Sequence, residues 1–181
     1  MDIPLIEQVK IQAQVLVPLV KALQAELGEE RANAIVRKAL GDQYRKYGER
    51  WWRAQGTRSL GEKMAAAFDG FAAGSALDYE VVKQAPDAFD VNVTGCRYAE
   101  FYKKLGVPEL GFLLVCGADF SMSEGFGSDV KFTRTKTIMQ GDSHCDFRYV
   151  LKKDGGQGLS PSAACHGAAN YDPEDRNNGM A

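Results

Sequence analysis

The chain has 181 residues, 45% hydrophobic and 25% charged, a composition ordinary for a globular domain and wrong for a disordered one. Its 22 basic and 24 acidic residues leave a net charge of −2, and no basic stripe runs along it, which argues against a nucleic acid or an anionic membrane as partner. The longest uncharged apolar stretches, Ile11–Val20 and Leu110–Ala118, are about half the length of a membrane span.

The first residues, Met1-Asp2-Ile3-Pro4, carry no basic n-region and no cleavage site, so the expectation is a cytoplasmic protein. Its four cysteines, Cys96, Cys116, Cys145 and Cys165, are then expected as reduced thiols. Ile6, Val9, Ala13, Leu16, Val20, Leu23 and Leu27 recur at steps of three and four, which predicts a first helix that Pro18 kinks or splits. That stripe is buried either within the chain or between two copies, so a homodimer is one expectation. Gly28 is a helix stop. A second helix is expected over Glu29–Trp52, with Ala32, Ile35, Val36, Ala39, Leu40, Tyr44, Tyr47 and Trp51 on its apolar side and Gly41 and Gly48 as weak spots. Ser59-Leu60-Gly61-Glu62 fits a capping box opening a third helix, whose stripe is Leu60, Met64, Phe68 and Phe71.

After Gly74 the period changes. Tyr79–Lys83 is a short strand candidate, and Phe89–Thr94 alternates apolar with polar residues. Extended to Cys96, this strand puts Asn92, Thr94 and Cys96 on one face and Phe89, Val91 and Val93 on the other. Arg97–Leu105 reads as a short helix, and Pro108 opens another that runs past Asp119, with Cys116 and Asp119 three residues apart on it. Val130–Met139 and His144–Lys152 read as a hairpin around Gln140-Gly141-Asp142. In the returning strand Cys145, Phe147, Tyr149 and Leu151 face one way, and His144, Asp146, Arg148 and Val150 the other. The whole is an α+β fold: N-terminal helices packed with a small, mainly antiparallel sheet and two further helices. Residues 1–154 form one domain, with a helical part (1–77) and a sheet part (78–154). Residues 155–181, rich in glycine, form a flexible tail.

The residues able to carry chemistry lie between Asn92 and Arg148: Asn92, Cys96, Arg97, Cys116, Asp119, Arg134, His144, Cys145, Asp146 and Arg148. The topology brings Cys96, the Cys116/Asp119 helix and Cys145 toward one another around a sheet. Three thiolates with a carboxylate or histidine are a donor set that zinc accepts. Against zinc, no two cysteines stand at close spacing, and His144 and Cys145 point to opposite faces of one strand. The expectation is a site without a cofactor, with zinc as the alternative and Cys165-His166 as a further donor pair.

Three blocks resemble the L-2-amino-thiazoline-4-carboxylic acid hydrolase family. They are Asn92-Val93-Thr94-Gly95-Cys96-Arg97-Tyr98-Ala99-Glu100-Phe101-Tyr102, Gly111-Phe112-Leu113-Leu114-Val115-Cys116-Gly117-Ala118-Asp119-Phe120, and the run Arg134–Tyr149 containing Gly141-Asp142-Ser143-His144-Cys145-Asp146-Phe147. The resemblance covers roughly residues 30–152. It implies a hydrolase that opens a small cyclic isothiourea or amidine, converting 2-aminothiazoline-4-carboxylate to N-carbamoyl-cysteine or cleaving a related C–N or C–S bond. On that chemistry Asp119 is the natural base. Cys96 or Cys145 is a candidate nucleophile, activated by Arg97, Arg134 or protonated His144. His144 protonates the departing sulfur. Arg134, then Arg148, clamps the substrate carboxylate, and Asn92 and Cys116 complete the substrate pocket. The same cysteine layout is similar, more weakly, to 4-vinyl-reductase-type domains. That implies the alternative of a non-catalytic small-molecule sensor or carrier.

Overall fold

The computed structural model describes residues 3–152; the glycine-rich tail, with Cys165-His166, lies outside the described residues. The fold is the expected mixture of helices and one antiparallel sheet. Helix α1 (Leu5–Leu27) buries Ile6, Val9, Ala13 and Val20. It is not split at Pro18. The hydrogen bond that Pro18 cannot donate would end on the carbonyl of Gln14, and both residues are on the exposed side of the helix. Gly28, at φ +79°, turns the chain into α2 (Glu29–Ala54), and Gln24 reaches Asn33 across the turn at 2.9 Å.

Most of the expected apolar side of α2 packs inward: Ala32 is buried, and Val36, Leu40, Tyr44 and Trp51 lie against the core. Ile35, Ala39 and Tyr47 are exposed instead, and Gly48 is buried. The two glycines that read as weak spots are where α6 (Ala118–Glu124) docks. A Cβ on Gly48 would stand 2.1 Å from the Met122 carbonyl oxygen, and one on Gly41 3.0 Å from Ser121 Oγ. From the other side, a Cβ on Gly125, just past α6, would stand 2.2 Å from the Arg45 carbonyl oxygen. Backbone meets backbone along this seam, which only glycine permits.

Helix α3 (Leu60–Ala72) starts as expected. Ser59 Oγ accepts the Glu62 N–H at 3.4 Å, and the Glu62 carboxylate accepts the Ser59 N–H at 2.8 Å. Ser59→Ala is expected to cost about 1 kcal/mol, read as a lower urea midpoint at unchanged slope. Leu60, Met64 and Phe68 of this helix pack on the sheet beside Phe89, Val91, Val93, Cys145 and Tyr149.

The sheet has strand order β1-β2-β4-β3, with β1 at Leu77–Ala85, β2 at Ala88–Cys96, β3 at Val130–Thr133 and β4 at Cys145–Leu151. Two expectations fail here for local reasons. Val93 pairs with Tyr79 and Gly95 with Asp78, so Thr94 is an extra residue in β2. This bulge shifts the parity, and Cys96 pairs with Leu77 and packs in the core instead of following Asn92 outward. The strand expected to reach Met139 stops at Thr133. Beyond it the Asp146 carboxylate accepts the N–H groups of Thr135 (2.8 Å) and Lys136 (2.5 Å), and Asp142 accepts that of Thr137 (2.7 Å). Side chains thus replace the ladder.

Between the strands, α4 (Arg97–Lys104) follows β2 directly. The long helix expected from Pro108 is three pieces: α5 (Pro108–Gly111), a wide π-type turn over Phe112–Cys116, and α6. The wide turn is closed by the Gly117 N–H donating to the Phe112 carbonyl at 2.8 Å. Such turns are frequent at functional sites.

Candidate functional site

The site grows from that wide turn and from the inward parity of β3. Val130 and Phe132 point inward, and Arg134, two residues on, keeps their direction. Its side chain is only 2% exposed. The guanidinium donates to the Asp119 carboxylate through Nη1 and, at 3.0 Å, to the Cys116 carbonyl through Nη2. The rings of Phe120 and Phe147 flank it at 5.2 and 5.3 Å. One cation is thereby desolvated, paired and stacked, the setting in which arginine outperforms lysine. Burial opposes its charge, and Asp119 restores it.

Asp119 stands in the first turn of α6, with its side chain 25% exposed. Burial pushes its carboxyl above the ordinary carboxylate range, while Arg134 pulls the other way through charge and hydrogen bond. The result is a carboxylate fixed by a cation and still open to solvent.

Three thiols surround this pair within electrostatic reach of it. Cys96 caps α4, its sulfur accepting the Ala99 N–H at 3.4 Å. Cys145 opens β4 and accepts the Ile138 N–H at 3.3 Å. Cys116 ends the wide turn. Burial pushes all three up, Cys96 to about 11; around Cys116 and Cys145 the Arg134 charge acts in the opposite direction. At neutral pH they are thiols, and each is a nucleophile only if a base takes its proton.

Cys96, Cys116, Cys145, Asp119 and Arg134 are therefore brought together, and the other five candidates are spent elsewhere, Arg97 on the Gly74 carbonyl and Asp146 on the backbone of Thr135 and Lys136. Arg148 and Asn92 lie on the outer face of the sheet, joined at 2.7 Å, with Arg148 also donating to the Val91 carbonyl. His144 sits in the bend before β4, sharing a 3.0 Å hydrogen bond with Ser143. Among the described residues no group of three His, Cys, Asp or Glu side chains is placed to hold a metal ion. An open hollow of about 290 Å³ lies elsewhere, lined by Arg37, Lys38, Asp42, Arg45 and Ser121, on the side of α6 that faces α2.

Sequence reasoning passed over four phenols. Tyr44 and Tyr149 are pushed up first by burial and then by the Asp119 carboxylate. Burial pushes Tyr98 up, with Cys96 adding to it, and raises Tyr102 to about 12. All four remain neutral hydroxyl donors around the acid and the thiols. The available signal was tyrosine where the pattern needs only a phenylalanine, most plainly at Tyr149, on the same face of β4 as Phe147.

Among the described residues no helix is long and apolar enough to cross a membrane. The family model for L-2-amino-thiazoline-4-carboxylic acid hydrolase matches residues 8–149. No curated protein matches the chain. Among solved structures, the phenol-responsive sensory domain of the transcription activator PoxR, crystallised with phenol, is similar at 11% identity and a TM-score of 0.47, over 75% of this chain and 72% of that one.

Proposed function

The chain belongs to the L-2-amino-thiazoline-4-carboxylic acid hydrolase family, and from that premise we propose that it hydrolyses a small cyclic isothiourea or amidine, with 2-aminothiazoline-4-carboxylate as the leading substrate. Water adds to the ring carbon held between sulfur and two nitrogens. The carbon–sulfur bond then breaks, the sulfur leaves as a thiol, and the carbon becomes the carbamoyl group of N-carbamoyl-cysteine. The observation that carries this reading is Asp119, its carboxylate anchored by Arg134 and its side chain a quarter exposed.

Asp119 takes the proton from the attacking water and returns it to the departing sulfur. This spares a second acid, and His144, in its bend before β4, is not needed for it. Arg134 is the clamp for the substrate carboxylate, through the N–H groups that it does not spend on Asp119 and the Cys116 carbonyl. Cys116 and the phenols of Tyr44 and Tyr149 supply polar contacts to the ring. The raised thiols favour direct attack by water over a covalent intermediate on Cys96 or Cys145.

Turnover of the thiazoline by the purified chain tests the reading. Asp119→Asn is expected to lower kcat/KM by about 10²- to 10⁴-fold. Cys96→Ala and Cys145→Ala are expected to stay within about tenfold of the wild type, and loss of activity in either would restore the covalent route. A base with a raised pKa must first lose its proton, so kcat/KM falls on the acid side through a value above 3.8. Full activity in Asp119→Asn would discard the site. Ligand binding without turnover would favour the sensor or carrier reading.

A further inference from the structure

The stripe that reads as the apolar side of α1 is spent inside the chain, on Ile6, Val9, Ala13 and Val20. The opposite side is apolar as well. Ile11, Val15 and Leu19, one turn apart, are 58%, 66% and 51% exposed. No charged residue occurs from Ile11 to Val20. At about 100° per residue the same face carries Pro4, Gln8, Ala22 and, at its end, Glu26. A helix with apolar residues on two sides is suited to cover on both, and the side carrying Ile11, Val15 and Leu19 is left open.

We infer that this face of α1 is a self-association surface, which pairs with the same face of a second copy in antiparallel fashion about Val15. The sequence of the face is its own complement. Antiparallel pairing sets Val15 against Val15, Ile11 level with Leu19, and Gln8 level with Ala22, so no charge is buried at the centre. It also brings Glu26 level with Pro4 of the second copy, at the N-terminal end of that helix, where the helix dipole is positive. Parallel pairing would stack Glu26 on Glu26. The chain's own C-terminal residues are a poor cover. From 153 to 181 the large apolar side chains are Leu159, Tyr171 and Met180 alone.

The size of the face sets the strength. A helix of 23 residues is about 35 Å long, so a strip about 10 Å wide covers on the order of 350 Å² per copy. A standard interface covers about 800 Å² per partner, so this contact is small and the dimer dissociates on dilution.

Light scattering on the full chain, from about 5 to 500 µM, should show the mass rising from one chain toward two. Ile11→Glu and Leu19→Lys should each weaken the association at least tenfold, with circular dichroism unchanged because both positions are exposed. Mixing the two variants should restore mass, since antiparallel pairing sets the new acid level with the new base. A mass of one chain at every concentration would overturn the inference. So would a dimer indifferent to both substitutions, or a mixture that stays monomeric.

Discussion

Arg134→Met is expected to destabilise the protein by about 3–5 kcal/mol, and by more at pH 8 than at pH 5. The arginine is 2% exposed, holds Asp119 and the Cys116 carbonyl, and lies between two rings. Methionine keeps much of the volume but leaves the carboxylate without its cation. In the wild type, burial already raises Asp119 while Arg134 restrains it. Without Arg134 the folded pKa climbs further above the unfolded value. The folded state then holds a proton that the unfolded state has released, so stability is retained at acid pH and lost as pH rises through the new folded pKa. Asp119→Asn combined with Arg134→Met should recover a substantial part of the loss, because no charge is stranded. Urea denaturation at the two pH values measures all of this. A loss under about 1 kcal/mol, or one independent of pH, would mean the pair contributes little.

Gly48→Ala is expected to cost about 2–3 kcal/mol in spite of alanine's helix propensity. In an exposed helix the exchange gains up to about 1 kcal/mol. Here the new methyl would stand 2.1 Å from the Met122 carbonyl oxygen, a backbone atom with no rotamer to yield. Two packed helices must separate, at an overpacking cost of about 1–3 kcal/mol or more. Because Met122 and Asp119 share α6, the separation also moves the acid away from Arg134, and activity should fall beyond what lost stability explains. Gly70→Ala, inside α3 with no atom within 4 Å of its Cβ, is the control and should stabilise by about 0.5–1 kcal/mol. Thermal or urea unfolding of the pair decides, and equal effects would discard the seam.

The elements were legible where the pattern is local. The capping box at Ser59, the stop at Gly28 and the inward set Cys145, Phe147, Tyr149 and Leu151 need only nearby residues to be read. The errors came from contacts and irregularities that a periodic pattern does not record. Gly41 and Gly48 look like faults in α2 until α6, some 70 residues later, lies against them. Cys96 changes face because of one extra residue at Thr94, and β3 ends early because Asp142 and Asp146 capture its backbone. Of the candidate site, Asp119, Arg134 and the three thiols were nominated from sequence, but the pairing of Asp119 with Arg134 joins side chains on separate segments and left no local signal. The tyrosines were hidden because a phenol in a core stripe has the same periodicity as any other large side chain.

The seam between α2 and α6 bears on how far the chain can be dissected. Every candidate reactive side chain lies after residue 90, in what reads as the sheet half, yet α6 is seated on a helix that ends at Ala54. A fragment starting at residue 78 would carry the acid, the arginine and the three thiols but lack Tyr44 and the platform that sets their geometry. Inactive alone, such a fragment should regain function when the separately produced helical hairpin is added back.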